Sequence, residues 1–219
     1  MPLNYTVADG DSITSLAYQY GLYTDTIWNH PSNAALKAQR ESMDVLMPGD
    51  VVFIPDKRIE AIEKPTDQMH VFKRKGVPAI FRLQLFDHET PRANQQYVLV
   101  VDGTVLQGAT DGDGVLEQKI SPAARKGELT IGPDAFRLTL QFGTLDPVEE
   151  VTGVQKRLKN MGFYRGDATG TMDAATGEAL AGFQKRFGLP VTGEADAATL
   201  ACLRDANDNA SDFPVPPNS

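Results

Sequence analysis

The chain is short of the residues that usually carry chemistry: 219 residues hold one cysteine, one tryptophan and three histidines. A single thiol cannot close an internal disulfide. At a helical position between Leu200 and Leu203, Cys202 reads as a small packing residue that says little about compartment. His30, His70 and His88 stand in unlike contexts without HxxxD or HExxH spacing, so no metal site is expected. Cys202 has no histidine near it in sequence, and nothing reads as a GxSxG elbow, a phosphate-cradling loop or a dinucleotide turn. Among 29 acidic residues a glycosidase-like pair can always be nominated, so carboxylates alone carry no specificity. Neither a cofactor nor a catalytic residue is expected. Basic charge is scarce as well: 21 Lys and Arg against 29 Asp and Glu leave a net −8. That balance argues against nucleic acid and anionic membrane surfaces, and the one basic run, "KRKG" at 73–76, reads as a turn between solvated strands. No stretch approaches the roughly 18 apolar residues of a membrane span, so no membrane insertion is expected. The opening "MPLNYTVADGDS" shows no basic segment followed by an apolar one, which predicts synthesis without a secretory signal and a cytoplasmic starting point.

What is present is an ordinary globular composition, 41% hydrophobic and 23% charged, in a length suited to two or three small domains. Near the C-terminus "TGTMDAATGEAL" at 169–180 returns as "TGEADAATLACL" at 192–203. A repeat of this kind marks a repeated supersecondary unit. Gly170 and Gly193 turn the chain, and Asp173 and Asp196 suit helix N-caps. Leu180, Phe183 and Phe187 then share one helical face, before Gly188 and Pro190 stop the helix; Leu200 and Leu203 repeat the logic. Upstream, "LDPVEEVTGVQKRLKNMG" predicts another helix with Asp146 as cap, Pro147 in its first turn, Val151, Val154 and Leu158 on one stripe, and Gly162 at its end. Residues 146–204 therefore read as three short capped helices.

That segment resembles the three-helix peptidoglycan-binding domain that accompanies many bacterial cell-wall hydrolases. The resemblance rests on Val154-Gln155, Leu158, Gly162-Phe163-Tyr164, Gly170, Thr176, Phe183-Gln184, Gly188-Leu189, Thr192-Gly193, Asp196 and Thr199. Most of these positions are caps, turns and core. Contact candidates are Tyr164 and Arg165, expected to be exposed beside Asp167, because a tyrosine ring can stack on a sugar while its hydroxyl stays wet.

At the other end, "YTVADGDSITSLAYQYG" predicts a strand at Tyr5-Thr6-Val7, a turn at Gly10, a cap at Asp11 or Ser12, and a helix carrying Ile13, Leu16, Ala17 and Tyr20 that ends at Gly21. "DVLMPGDVVFIP" adds a Pro-Gly turn and a strand from Val51 to Ile54. This pattern resembles the LysM domain, a βααβ module whose family binds N-acetylglucosamine-containing glycans. The resemblance implies a groove between Gly10, Asp11, Ser12, Ile13 and Thr14 on one side and Asp44, Val45, Leu46, Met47 and Pro48 on the other. The middle, "HPSNAALKAQRESMD", is longer than that pattern usually has. Trp28, beside Ile27, reads first as core and second as a sugar platform.

Between the two, the texture alternates. "AIFRLQLFD", "QYVLVVDG", "GVLEQKI", "GELTIG" and "AFRLTLQFG" predict five strands of a small sandwich or barrel. "ATDGDGVLEQKI" resembles the turn-and-strand signature of Ig-like or carboxypeptidase-regulatory-like modules. Asp111-Gly112-Asp113-Gly114 reads as a hairpin turn rather than a calcium loop, since an EF-hand needs further oxygen ligands and a closing Glu. The expected fold class is multidomain α+β: a LysM-like domain at 1–56, a linker at 57–69, an antiparallel β-sandwich at 70–145, the helical domain at 146–204 and a loose tail at 205–219.

The functional expectation is a non-catalytic peptidoglycan binder that holds a partner against the bacterial cell wall, its two modules gaining avidity by tethering. The alternative is a protein–protein adaptor or accessory component (baseplate, spike or effector loading, or immunity to a wall-degrading effector) with little glycan affinity. The module order resembles proteins associated with type VI secretion and contractile injection systems, which implies a spike, baseplate or effector partner and delivery to the periplasm or outside without a signal peptide.

Overall fold

The computed structural model describes residues 1–40, 42–57, 63, 65–70, 79–87 and 90–208. Parts of the expected linker (58–62 and 64), the start of the middle unit with "KRKG" (71–78), His88 and the tail from 209 lie outside the described residues. No helix among the described residues is long and apolar enough to cross a membrane.

In the N-terminal unit β1 (Leu3–Thr6) pairs antiparallel with β2 (Val51–Ile54), Leu3 opposite Ile54. Between them run α1 (Ile13–Tyr20), α2 (Thr24–Trp28), a 3₁₀ turn (Pro31–Asn33) and α3 (Ala34–Gln39). Helix α1 starts where expected: Ser12 and Ser15 form a capping box, and Gly21 ends the helix in the left-handed conformation. The strand starts earlier than the sequence suggests, and Val7 is the first core residue beyond it. Trp28 is core, packed with Ile13, Leu16, Ile27, Val52 and Ile54. The extended middle is fastened by buried Asn33, whose amide donates to Ile27 O and Phe53 O (both 2.8 Å) and accepts from Phe53 N (2.7 Å).

The middle unit has two facing layers. One is a four-stranded antiparallel sheet in the order β10 (Phe136–Gln141), β9 (Lys126–Ile131), β6 (Gln96–Val101), β7 (Thr104–Ala109). The other is the pair β3 (Ala79–Gln84) and β8 (Val115–Ile120), with a short β4 (Phe86–Asp87) and β5 (Thr90–Pro91) hairpin alongside. Tyr97, Leu99, Val101, Leu129 and Ile131 of the first layer meet Leu116 and Ile120 of the second in one core. Five strands are expected from sequence; β7 and the short hairpin come in addition. Strand β7 reads poorly because Gly108 replaces an inward side chain: it pairs with Tyr97, whose hydroxyl lies 2.6 Å from where a Cβ would be. Asp111 forms the expected turn, its Oδ1 accepting from Asp113 N (2.9 Å) and Val115 N (2.8 Å).

The C-terminal unit consists of α4 (Val151–Asn160), α5 (Ala174–Arg186) and α6 (Ala197–Asp208) around Leu158, Leu180, Phe183 and Leu203. The repeat has a physical explanation. Buried Gln155 of α4 donates to Thr171 O and Thr176 Oγ1 (both 2.9 Å) and accepts from Gly170 N (3.0 Å). Buried Gln184 of α5 donates to Thr192 Oγ1, Glu194 O and Thr199 Oγ1 (all 3.0 Å) and accepts from Thr192 N (2.9 Å) and Gly193 N (2.8 Å). Each Thr-Gly loop is thus closed around a glutamine from the helix before it. Each loop then delivers an aspartate cap: Asp173 to Thr176 N and Asp196 to Thr199 N, both 2.8 Å. Asp146 does not cap α4. The helix begins at Val151, and Asp146 instead takes Lys156 Nζ (2.7 Å), because the 146–147 backbone lies across the helix against Gly153, where a Cβ would collide with Pro147 O. Helix α6 runs on to Asp208, into the segment expected as tail. Arg157, 1% exposed, holds that carboxylate with Nε (2.9 Å) and Nη2 (2.7 Å).

The three units meet at the N-terminal loops. Arg125 of the middle unit donates to Gly10 O and, through Nη2, to Asp11 Oδ1 at 2.7 Å. Gly143 approaches so closely that a Cβ there would collide with Gly10 O. Arg40, Ser42 and Val45 face Pro147, Val148, Glu149, Arg157, Arg204 and Asp208 across a narrow crevice. Asp11 Oδ2 accepts from Tyr5 Oη (2.8 Å) and Ala8 N (3.0 Å). Burial disfavours the Asp11 anion, but the Ala8 amide, Arg125 and Tyr5 outweigh it and hold its carboxyl below the ordinary carboxylate range.

Two outcomes follow from this architecture. Replacing Gln184 by Leu removes the acceptor of the Thr192 and Gly193 amides and the donor to Thr192 Oγ1, Glu194 O and Thr199 Oγ1, so urea denaturation is expected to show a loss of about 2–3 kcal/mol; a loss below about 1 kcal/mol would mean the bracket is incidental. Because the Asp11 pKa is depressed on folding, its contribution is complete above the unfolded carboxyl value and is lost as pH falls through the lower folded one. Hydrogen exchange, corrected for intrinsic rate, should show protection of residues 8–14 steady from neutral pH down to about 4 and falling below it. Arg125→Ala should remove that protection at neutral pH; unchanged protection would show that this pair does not hold the junction.

Candidate functional site

The loops expected to form an N-terminal groove are brought together. Thr14 Oγ1 donates to Asp44 Oδ1 (2.5 Å), and Ile13 N donates to Met43 O (2.9 Å). Their side chains divide by role. Ile13 and Leu46 belong to the core, and Ser12 is the α1 cap. Gly10 and Asp11 are engaged by Arg125, while Val45 lines the crevice against the helical unit. Thr14 and Met47 are half-buried, and Asp44 and Pro48 face solvent. Two walls of the expected groove therefore face the chain's own neighbouring units.

An open depression lies instead on the helical unit. Gly162, with φ 80°, turns the chain after α4, and the Phe163 and Tyr164 amides both donate to Leu158 O (2.8 and 3.2 Å). The loop that follows faces α5, and Phe163, Tyr164, Arg165 and Gly166 on one side with Ala175, Glu178, Ala179 and Gly182 on the other enclose about 310 Å³. The space exists because three of the four α5 residues, spaced i, i+4 and i+7 along one face, carry a methyl group or nothing. Phe163 leans edge-on against Phe183, ring centroids 5.7 Å apart, so its position is fixed by the core.

Tyr164 is not exposed as expected. It is only 6% accessible, a member of the core cluster, with its hydroxyl donating to Asp167 O (3.3 Å). Gly166 permits this, since a Cβ there would stand 2.6 Å from the hydroxyl. Arg165 is exposed at the rim, as expected, and Glu178 is exposed opposite it. Among the described residues neither is paired with an opposite charge. Asp167 does not line the depression; it faces solvent 3.6 Å from Lys159 Nζ. Sequence reasoning missed Ala175, Glu178, Ala179 and Gly182, whose signal was the small residues Ala175, Ala179 and Gly182 at i, i+4 and i+7 beside Phe183.

The histidines take local roles. His30 packs on Phe53 with centroids 4.5 Å apart and accepts from Ser32 N, and His70 contacts Pro65 O (2.7 Å). Cys202 is a packing residue of the helical core, its thiol pushed up by burial and then by the Asp205 charge. Among the described residues no group of three or more His, Cys, Asp or Glu is placed to hold a metal ion.

Comparison with known proteins bears on the helical unit. Residues 147–203 match the family model described as "Putative peptidoglycan binding domain". Two spore cortex-lytic enzymes, both of Bacillus cereus, are 49% identical to the chain over 55 residues, which is 25% of this chain and 21% of each relative. The chain thus spans about a fifth of the length of these curated relatives. No solved structure matches the chain. The open depression lies within the matched residues, and the C-terminal helices of this chain are a peptidoglycan-binding domain.

Proposed function

We propose that this chain is a non-catalytic anchor that holds a partner to the bacterial cell wall, gripping peptidoglycan with the depression between the Phe163–Gly166 loop and α5. The observation that carries the reading is the coincidence of the one open, chemically mixed depression described above with the residues that match a peptidoglycan-binding family. The relatives' name describes lytic enzymes, and the shared part is 21% of their length; the reading here takes the shared part as the wall-directed portion and assigns no bond cleavage to the rest.

The other units serve presentation. The N-terminal βααβ unit is read as LysM-like, and the two-layer middle unit as an Ig-like or carboxypeptidase-regulatory-like spacer. The module order supports a partner belonging to a type VI or other contractile injection machine, a spike, baseplate or effector protein, with the chain made in the cytoplasm and carried to the wall by that machine. A second reading, an adaptor with little glycan affinity, is favoured by one specific observation: the N-terminal groove loops are engaged by Arg125, Gly143 and the 147–149 segment rather than open.

Purified full-length protein is expected to pellet with isolated sacculi and to release no soluble muropeptides. Gly182→Leu is the informative variant. A Cβ there meets only Phe163 Cδ1 at 3.6 Å, and leaving glycine raises helix propensity by about 1 kcal/mol, so the fold survives while the depression fills. Pelleting should fall by about tenfold, the equivalent of about 1.4 kcal/mol, with Tm held or raised. No pelleting by the parent protein, or muropeptide release by it, would overturn the reading.

A further inference from the structure

We infer that the depression recognises the stem peptide of peptidoglycan rather than its glycan strand, with Arg165 taking a carboxylate and Glu178 an amine of the same peptide. This rests on the peptidoglycan reading above and narrows it to one part of the polymer.

The first ground is what the depression lacks. Proteins hold pyranose rings by laying an aromatic face against them, which needs a ring presented flat to solvent. Here Tyr164 is buried, its hydroxyl donating to Asp167 O, and Phe163 is half-buried, packed perpendicular to Phe183 and against Gly182. Tyr164 is therefore withdrawn as a platform, and Phe163 is committed on one side to the core. On the helix side Glu178 is the only polar side chain of the lining; Ala175, Ala179 and Gly182 make the rest a shallow surface of methyl groups and backbone.

The second ground is what the depression has. A cation and an anion stand free at its rim, Arg165 on the loop and Glu178 on the helix. The glycan strand offers a carboxylate only on its lactyl ether, which is amidated by the stem peptide, and its amines are acetylated, so it has little to give such a pair. The stem peptide offers both signs: a D-glutamyl carboxylate, a terminal carboxylate, and the free amine of a diamino acid wherever it is not cross-linked. Its remaining side chains are the methyl groups of alanine, which match a floor built from alanine and glycine. A guanidinium binds a carboxylate with paired charge-assisted hydrogen bonds. The volume of about 310 Å³ lies at the small end of ligand pockets, suited to a short run of small residues.

The test uses the full-length protein in calorimetry with two soluble preparations of the same sacculi: glycan fragments released by a muramidase with their stem peptides in place, and glycan strands stripped of stem peptides by an N-acetylmuramoyl-amidase and then amidated at the exposed lactyl carboxylates. Binding should drop by about tenfold or more on the stripped material. In calorimetry a synthetic L-Ala-γ-D-Glu-diaminopimelyl-D-Ala-D-Ala peptide should bind, and a tetramer of N-acetylglucosamine should not. Arg165→Ala should weaken peptide binding by about tenfold, Glu178→Gln should remove the preference for a peptide with a free over an acetylated diamino-acid amine, and neither should move Tm. Equal binding to both preparations, or peptide binding indifferent to Arg165→Ala, overturns the inference while leaving a wall binder in place. No binding to either preparation overturns the peptidoglycan reading itself, and this inference with it.

Discussion

The helical unit depends on two glutamines that have no solvent exposure. Gln155 and Gln184 each occupy the same place relative to a Thr-Gly loop, and each is followed by Lys and Arg in the sequence. A buried amide must be satisfied on both its donor and acceptor sides, and here the partners are the loop's own backbone and hydroxyls. The consequence is directional. The loop conformation sets where Asp173 and Asp196 stand, those carboxylates start α5 and α6, and the start of α5 fixes which of its faces meets the Phe163–Gly166 loop. The depression is therefore a remote product of a polar bond network in the interior rather than of the residues at its rim.

Arg157 plays the corresponding part at the other end of the unit. It is fully enclosed, and each nitrogen has a partner: Asp208 through Nε and Nη2, and Asp146 O and Gly153 O through Nη1. A buried ion pair contributes little net stability unless such secondary bonds are complete, and it is a weak argument for stability even then. What it provides here is geometry. It ties the last turn of α6 to α4 and to the chain that arrives from the middle unit, beside the crevice that faces Arg40 and Val45.

The parts legible in the sequence are those decided within a few residues. Ser12 and Gly21 mark the ends of α1, Asp173 and Asp196 mark the starts of α5 and α6, and Val51–Ile54 is the second strand with the bounds expected. The parts misread are those decided by close packing rather than by cap and turn chemistry. Asp146-Pro147 has the chemistry of a helix start, but a backbone crossing at Gly153 places that pair on top of the helix. Tyr164-Arg165-Gly166-Asp167 reads as a polar loop with an outward ring; the missing side chain at Gly166 and the space beneath it turn the ring inward. Strand β7 hides because it is an edge strand whose glycine makes room for a tyrosine across the ladder. The depression itself is invisible to hydrophobic periodicity, since Ala175, Ala179 and Gly182 contribute almost nothing to an apolar pattern. They act by what they leave empty.

The shallowness of the depression bears on the kind of anchoring proposed for this chain. Gly10, Asp11 and Val45 are engaged at the junction while Asp44 and Pro48 face solvent, so a second grip at these loops would have to use their exposed part. A site of this size, partly open and with its charges in water, forms bonds that are screened by salt and exchange quickly. Firm attachment then has to come from many copies meeting a polymer that repeats the same epitope, where each additional engaged copy multiplies residence through effective concentration. Under the anchoring proposed above, a partner that presents this chain several times over would be held to the wall more firmly than one that presents it once.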